Sequence, residues 1–169
     1  WHPRGKSFTA PSDQPGEIRI VDARTYEIQQ TLDTGLLGMV TAHGWSHDGR
    51  YLAAVSNSTI QISMPGDDSF SKVSINIPNR EFAVRHIKWS HDNRYLAIAE
   101  GWFPWRRNSS PTPVQVWDLV DIKNPVFIEM DGLQSHLTSI DWHPTENILV
   151  TGSMRPSDHG GSTVAWDIE

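Results

Sequence analysis

Short runs in which apolar and polar residues alternate recur along the whole chain, and none keeps a helical period. Residues 17–23 read EIRIVDA, 58–64 STIQISM, 73–77 VSINI and 113–119 PVQVWDL. Alternation with Val, Ile and Trp over five to seven residues predicts strands with one face toward a sheet neighbour. Between runs stand Asp48-Gly49, Asp92-Asn93 and Thr145-Glu146-Asn147. Asp-Gly and Asp-Asn are hairpin chemistry, because Gly and Asn tolerate positive φ. The predicted strands are 6–10, 17–22 and 26–32; 39–46, 50–56, 59–64 and 70–77; 83–90, 94–100, 113–119 and 125–130; and 137–142, 147–153 and 162–168.

Tryptophan sets the period. Trp45 lies in GWSHDGRYLAAVS, Trp89 in KWSHDNRYLAIAE and Trp142 in DWHPTENILVTGS, and Trp1 begins WHPRGKSFTAP. The spacings are 44 (1 to 45), 44 (45 to 89) and 53 (89 to 142). A repeat near 40–45 residues is the mark of propeller blades, with four strands in each unit. A second mark falls in phase: Asp22, Asp118 and Asp167 close three of the short runs, the last two as Trp117-Asp118 and Trp166-Asp167. The second unit has no Asp there.

These motifs resemble the WD40-repeat family of β-propellers. The fourth unit carries the fullest likeness, with Ser135-His136, the Trp142-His143-Pro144 corner, the LVTGS run and Trp166-Asp167. The resemblance implies an all-β fold of four-stranded antiparallel blades forming an incomplete ring. The blades are 1–36 (strands b–d), 37–80, 81–132 with a long b–c loop at 101–112, and 133–169 (strands a–c). It also implies that His136 hydrogen-bonds within its own blade, through Thr151 or Ser153, toward Trp166; Asp158 fits that chain poorly because MRPSDHGG is a long loop. Trp45, Trp89, Trp142, Trp117, Asp118, Trp166, Asp167 and His136 then mark the repeat. An open run of blades leaves faces and an edge bare, so the isolated chain is expected to self-associate.

Composition changes this picture little. The 169 residues hold 14 Lys and Arg against 20 Asp and Glu, a net charge of −6, which counts against a general nucleic-acid binder. There are no cysteines, so neither a disulfide framework nor a Cys-based metal site is available. No apolar run is long enough to span a membrane and no signal peptide is visible, which points weakly to cytoplasm or nucleus. The start at Trp1 reads as a cut inside a longer protein.

Candidate chemistry is sparse. His43 and His47 are too far apart on a strand, about 13 Å, to share one metal ion. His2, His47, His91 and His143 follow the repeated corner and read as blade features. Asp158, His159 and Ser162 crowd one Gly-rich loop, without the nucleophile elbow or the separate segments of a catalytic triad. Asp67-Asp68 reads as turn chemistry. Asn57-Ser58-Thr59 and Asn108-Ser109-Ser110 match glycosylation acceptors, which matters only in a secreted chain. No metal, cofactor or catalytic residue is expected.

The stretch from Gly101 to Thr112 stands apart. The repeat accounts for six of the eight tryptophans, and Trp102 and Trp105 are the two left over. Their loop also carries Phe103, Arg106 and Arg107. Tryptophan and arginine are the residues most enriched in protein-binding hot spots. The expected partner-binding set is Trp102, Phe103, Trp105, Arg106 and Arg107, with Arg155, Asp158 and His159 from the next blade. The alternatives are a packed lid and, more remotely, a stacking platform for single-stranded nucleic acid. The expected function is a non-enzymatic protein-interaction scaffold. The rival is the propeller portion of a larger enzyme, such as a propeller-gated peptidase whose catalytic domain lies elsewhere.

Overall fold

The computed structural model describes residues 1–66, 72–78, 84–100, 114–130, 136–154 and 160–169; the side chains of Glu129 and His136 are not among what it describes. The chain divides into two compact units, Trp1–Ala83 and Val84–Glu169. Every described element of regular structure is a strand, and every pairing is antiparallel.

The first unit holds two sheets. One is β1 (Ser7–Pro11), β2 (Glu17–Asp22) and β3 (Ile28–Asp33); the other is β4 (Ala42–Trp45), β5 (Leu52–Ser56), β6 (Thr59–Ser63) and β7 (Val73–Asn76). The second unit holds β8 (Val84–Trp89), β9 (Tyr95–Glu100), β10 (Val114–Asp118) and β11 (Val126–Glu129), then β12 (His136–Trp142), β13 (Ile148–Met154) and β14 (Gly161–Asp167). Strands follow sequence order within each sheet, and each sheet is built from one continuous run of chain. No sheet is closed by strands from the two chain ends.

One register repeats. Trp45, Trp89 and Trp142 each end a first strand and face Leu52, Leu96 and Leu149 on the next. The Trp and Leu bury the start of the corner, which is then closed by polar groups. Ser46 and Ser90 each donate their amide to the carbonyl five residues on, Tyr51 and Tyr95, and each hydroxyl bonds an aspartate, Asp48 or Asp92, at 2.6 Å. His2 and His143 make the same amide bond, to Ser7 and Ile148. Their rings replace the serine and aspartate by accepting at Nδ1 from the amides of Arg4 and Thr145. Gly49 and Asn93 take positive φ, 72° and 63°, as turn residues of this kind do. The fourth corner, at Thr145-Glu146-Asn147, closes without a positive φ.

Several predicted strands are shorter than the pattern suggested, two of them for a visible reason. The run expected at 26–32 begins at Ile28, because Tyr26 sits at φ 61° in a turn whose amide bonds back to the Asp22 carbonyl. The run expected at 39–46 is β4, Ala42–Trp45. Residues before it are drawn into a loop against the first sheet, where the Gly16 amide donates to the Gly38 carbonyl at 3.0 Å.

Each unit buries its own core. In the first, Ile18, Leu36, Val40, Leu52 and Ala54 pack together with Leu32 and Trp45 at the margin. In the second, Tyr95, Ala97, Ala99, Val114 and Val116 meet Leu137, Ile140, Trp142, Leu149 and Ile168. Trp142 crosses between the two sheets of that unit. Its ring stacks on Tyr95 with centroids 5.9 Å apart, and its Nε1–H donates to the Lys88 carbonyl at 3.1 Å.

Candidate functional site

In an antiparallel blade the connection from second to third strand and the connection to the next blade leave from the same end. Loops on such an end are where binding residues concentrate. At its base lies a repeated polar position, four residues past the Leu that faces the strand-ending Trp (Phe8 takes that place in the first blade). Ser12, Ser56, Glu100 and Ser153 occupy it, and all four are buried.

Ser12 and Ser153 are satisfied locally, while the buried Ser56 Oγ meets no partner among the described residues. Ser12 donates to Glu17 and Asp13 at 3.2 Å, and Ser153 Oγ lies 2.7 Å from Ser162 Oγ. Beside Ser12, backbone and Ser12 hydrogen bonds, together with Arg19 at 2.7 Å, hold Asp13 below the usual carboxylate range. In the third blade the position is a glutamate, 1% exposed, with buried Gln115 near it on β10, and neither side chain is free. Glu100 and Val114 are thus buried strand residues on either side of the 101–113 segment.

That segment lies outside the described residues, and with it Trp102, Phe103, Trp105, Arg106 and Arg107. Arg155, Asp158 and His159 lie outside them as well, as do Asp67-Asp68 and the Asn108 acceptor sequence. Of the repeat-marking residues, Trp45, Trp89 and Trp142 end β4, β8 and β12, Trp117 and Asp118 close β10, and Trp166 and Asp167 close β14. His136 opens β12. Of the bond chain expected in the fourth blade, one link is observed, Trp166 Nε1–H donating to Thr151 Oγ1 at 3.1 Å, while Ser153 turns to Ser162; the His136 side chain lies outside what is described. Trp117 has no such partner, because Ile98 stands where Thr151 does; its buried Nε1–H meets no acceptor among the described residues.

The aspartate that closes the third strand is a turn residue in its own right. Asp22 accepts from the amides of Arg24 and Thr25 at 2.8 and 2.9 Å. Asp118 accepts from the Val120 amide and from the Arg94 guanidinium, with the closest contact at 2.7 Å. Arg94 therefore holds the Asp118 carboxyl below its ordinary value, against the opposing effect of burial. Arg94 also lies over the Tyr95 ring at 4.7 Å, which fixes the guanidinium on both sides.

Sequence reasoning missed the loop that precedes β4. Thr34 is buried and donates both its amide and its hydroxyl to the Gly16 carbonyl, at 2.8 and 2.6 Å. Leu36 turns into the core, and Leu37 beside it is 97% exposed. The signal was Gly35-Leu36-Leu37-Gly38, a pair of leucines between two turn residues, but nothing in it says which leucine faces inward.

Comparison with known proteins agrees with this architecture. Residues 128–167 match the family model described as WD domain, G-beta repeat. The β-propeller domain of Cps50 (Swd1) from Myceliophteria thermophila superposes with a TM-score of 0.70 at 18% identity, over 100% of this chain and 52% of that one. A chain of the Mitotic Checkpoint Complex superposes with a TM-score of 0.67 at 20% identity, over 97% and 48%. The chain spans about half the length of these structures. No curated protein is significantly similar in sequence. The four sheets have the fold of β-propeller blades, and residues 128–167 match the WD40 repeat.

Proposed function

We propose that the protein is a non-enzymatic interaction scaffold that binds protein partners through the loop-bearing ends of its blades. The contact residues in this reading are Trp102, Phe103, Trp105, Arg106 and Arg107, joined by Arg155, Asp158 and His159. The observation that carries it is the base of the inserted segment. Both flanking residues, Glu100 and Val114, are buried in strands whose side chains are buried along nearly their full length. The segment between them carries two tryptophans and two arginines, the residue types in which hot spots are enriched. The WD40 repeat and the superposition on a chain of a multiprotein complex support a scaffold role. Cytoplasm or nucleus is the compartment that goes with it.

The test is a pair of double variants, Trp102→Ala with Trp105→Ala and Arg106→Glu with Arg107→Glu. Each is compared with the parent by quantitative affinity purification and circular dichroism. Partners lost from a folded protein support the reading. An unchanged partner set refutes it, and loss of the fold assigns the tryptophans to packing.

A further inference from the structure

The joint between the first two blades contains a titratable group where the equivalent strands have a hydrocarbon. His43, Ile87 and Ile140 each stand two residues before the strand-ending Trp. Ile87 and Ile140 are buried. His43 is half-buried, and its Nε2 lies 3.2 Å from the Thr9 carbonyl of β1. Since a carbonyl only accepts, Nε2 carries the proton and neutral imidazole already makes this bond.

We propose that His43 is a pH-responsive latch between the first two blades, closed while neutral and loosened when protonated. The geometry supplies the reason. Protonation keeps the bond to Thr9, which favours the charged ring, but adds a second N–H at Nδ1 and a full charge to a partly buried site. Nothing on the surrounding strands compensates that charge: β1 (SFTAP), β4 (AHGW) and β5 (LAAVS) carry no carboxylate and, His43 apart, no titratable side chain. His2, the other imidazole of this joint, packs edge-on against Trp45, centroids 4.7 Å apart, and brings no negative charge. Burial outweighs the Thr9 hydrogen bond and holds His43 below the ordinary histidine value. The imidazolium therefore gains solvation when the joint opens.

The sign follows from linkage. A histidine with a depressed folded value binds fewer protons in the closed state than in the open one. Closure is thus fully favoured above the free-histidine value near 6.5 and weakens as pH falls toward the folded value. One proton per opening event limits the change to about tenfold in the opening constant per pH unit.

Native-state hydrogen exchange on the 169-residue chain, corrected for intrinsic rates, reads this directly. Between pH 7.5 and 5.5 the amides of β1 and β4 are expected to lose several-fold protection, beyond any change at β9 and β13. His43→Ile, the residue of the sister blades, abolishes that loss. His43→Gln, which keeps a donor toward Thr9 without titrating, does so too and serves if the isoleucine variant does not fold. An equal loss in either variant, or no loss in the parent chain, overturns the proposal.

Discussion

The third blade offers a sharp test of how the strand-c tryptophan is held. In the fourth blade Leu149 faces Trp166, and Thr151, two residues along β13, accepts the indole N–H at 3.1 Å. In the third, Leu96 faces Trp117 in the same register, Ile98 takes the place of Thr151, and the Trp117 N–H is buried with no acceptor among the described residues. The perturbation is Ile98→Thr, measured against Ile98→Val. Both remove bulk at a site that is 1% exposed, and Ile→Val alone costs about 0.5–1.5 kcal/mol. Val and Thr have the same shape, so the difference between the variants isolates the hydroxyl. A hydroxyl buried without partners costs about 1–3 kcal/mol. Here it meets an indole donor that already bears such a penalty. It also has the carbonyl of Gln115 opposite, as Thr151 has that of Val164 at 3.4 Å. The threonine variant should therefore equal the valine variant or exceed it by up to about 1 kcal/mol. Urea unfolding followed by circular dichroism and by tryptophan fluorescence gives the difference. A downfield shift of the Trp117 indole proton reports the new bond. If Ile98→Thr is less stable than Ile98→Val by about 1 kcal/mol or more, the alignment of the two blades at this position is wrong.

Other outcomes follow from the same geometry. Gly16→Ala puts a Cβ 2.2 Å from the Leu36 carbonyl oxygen at φ +70°, and should destabilise by about 2 kcal/mol or more in thermal unfolding. Trp142→Phe loses the bond to the Lys88 carbonyl and part of the stack on Tyr95; a cost of about 2 kcal/mol is expected in chemical denaturation. Asp118 has a depressed folded value, so its contribution is complete above the free carboxyl value of 3.8 and is lost as pH falls through the folded one. Asp118→Asn should accordingly show lower stability at pH 7 and a flatter acid limb, read from unfolding midpoints between pH 7 and 2.

Much of the architecture could be read in the chain. The Trp spacing places the strand ends, and the Ser-His-Asp-Gly and Ser-His-Asp-Asn corners close through bonds between residues two to five apart, so local sequence dictates them. The missed ends, at Tyr26 and before Ala42, lie where a residue answers to something outside its own run. Tyr26 closes a turn onto Asp22, and Gly38 is bound by Gly16 from another strand pair. The candidate site was legible as composition, two tryptophans the repeat does not use. The nature of its base was not. Glu100 ends an apolar run like any strand residue, and only the strand register shows a buried carboxylate at the position that Ser12, Ser56 and Ser153 hold in the other sheets.

The sequence by itself determined the blade, because a hairpin's turn residues, alternation and strand-end tryptophans act over a few residues and repeat with the chain. Only the tertiary structure decided which partner each buried polar group meets. His43 against the Thr9 carbonyl, Trp166 on Thr151, Trp117 without an acceptor among the described residues, and Leu36 inside with Leu37 outside all depend on what the neighbouring strand or sheet brings within about 3–4 Å. Those distances arise between segments far apart along the chain, and no local pattern records them.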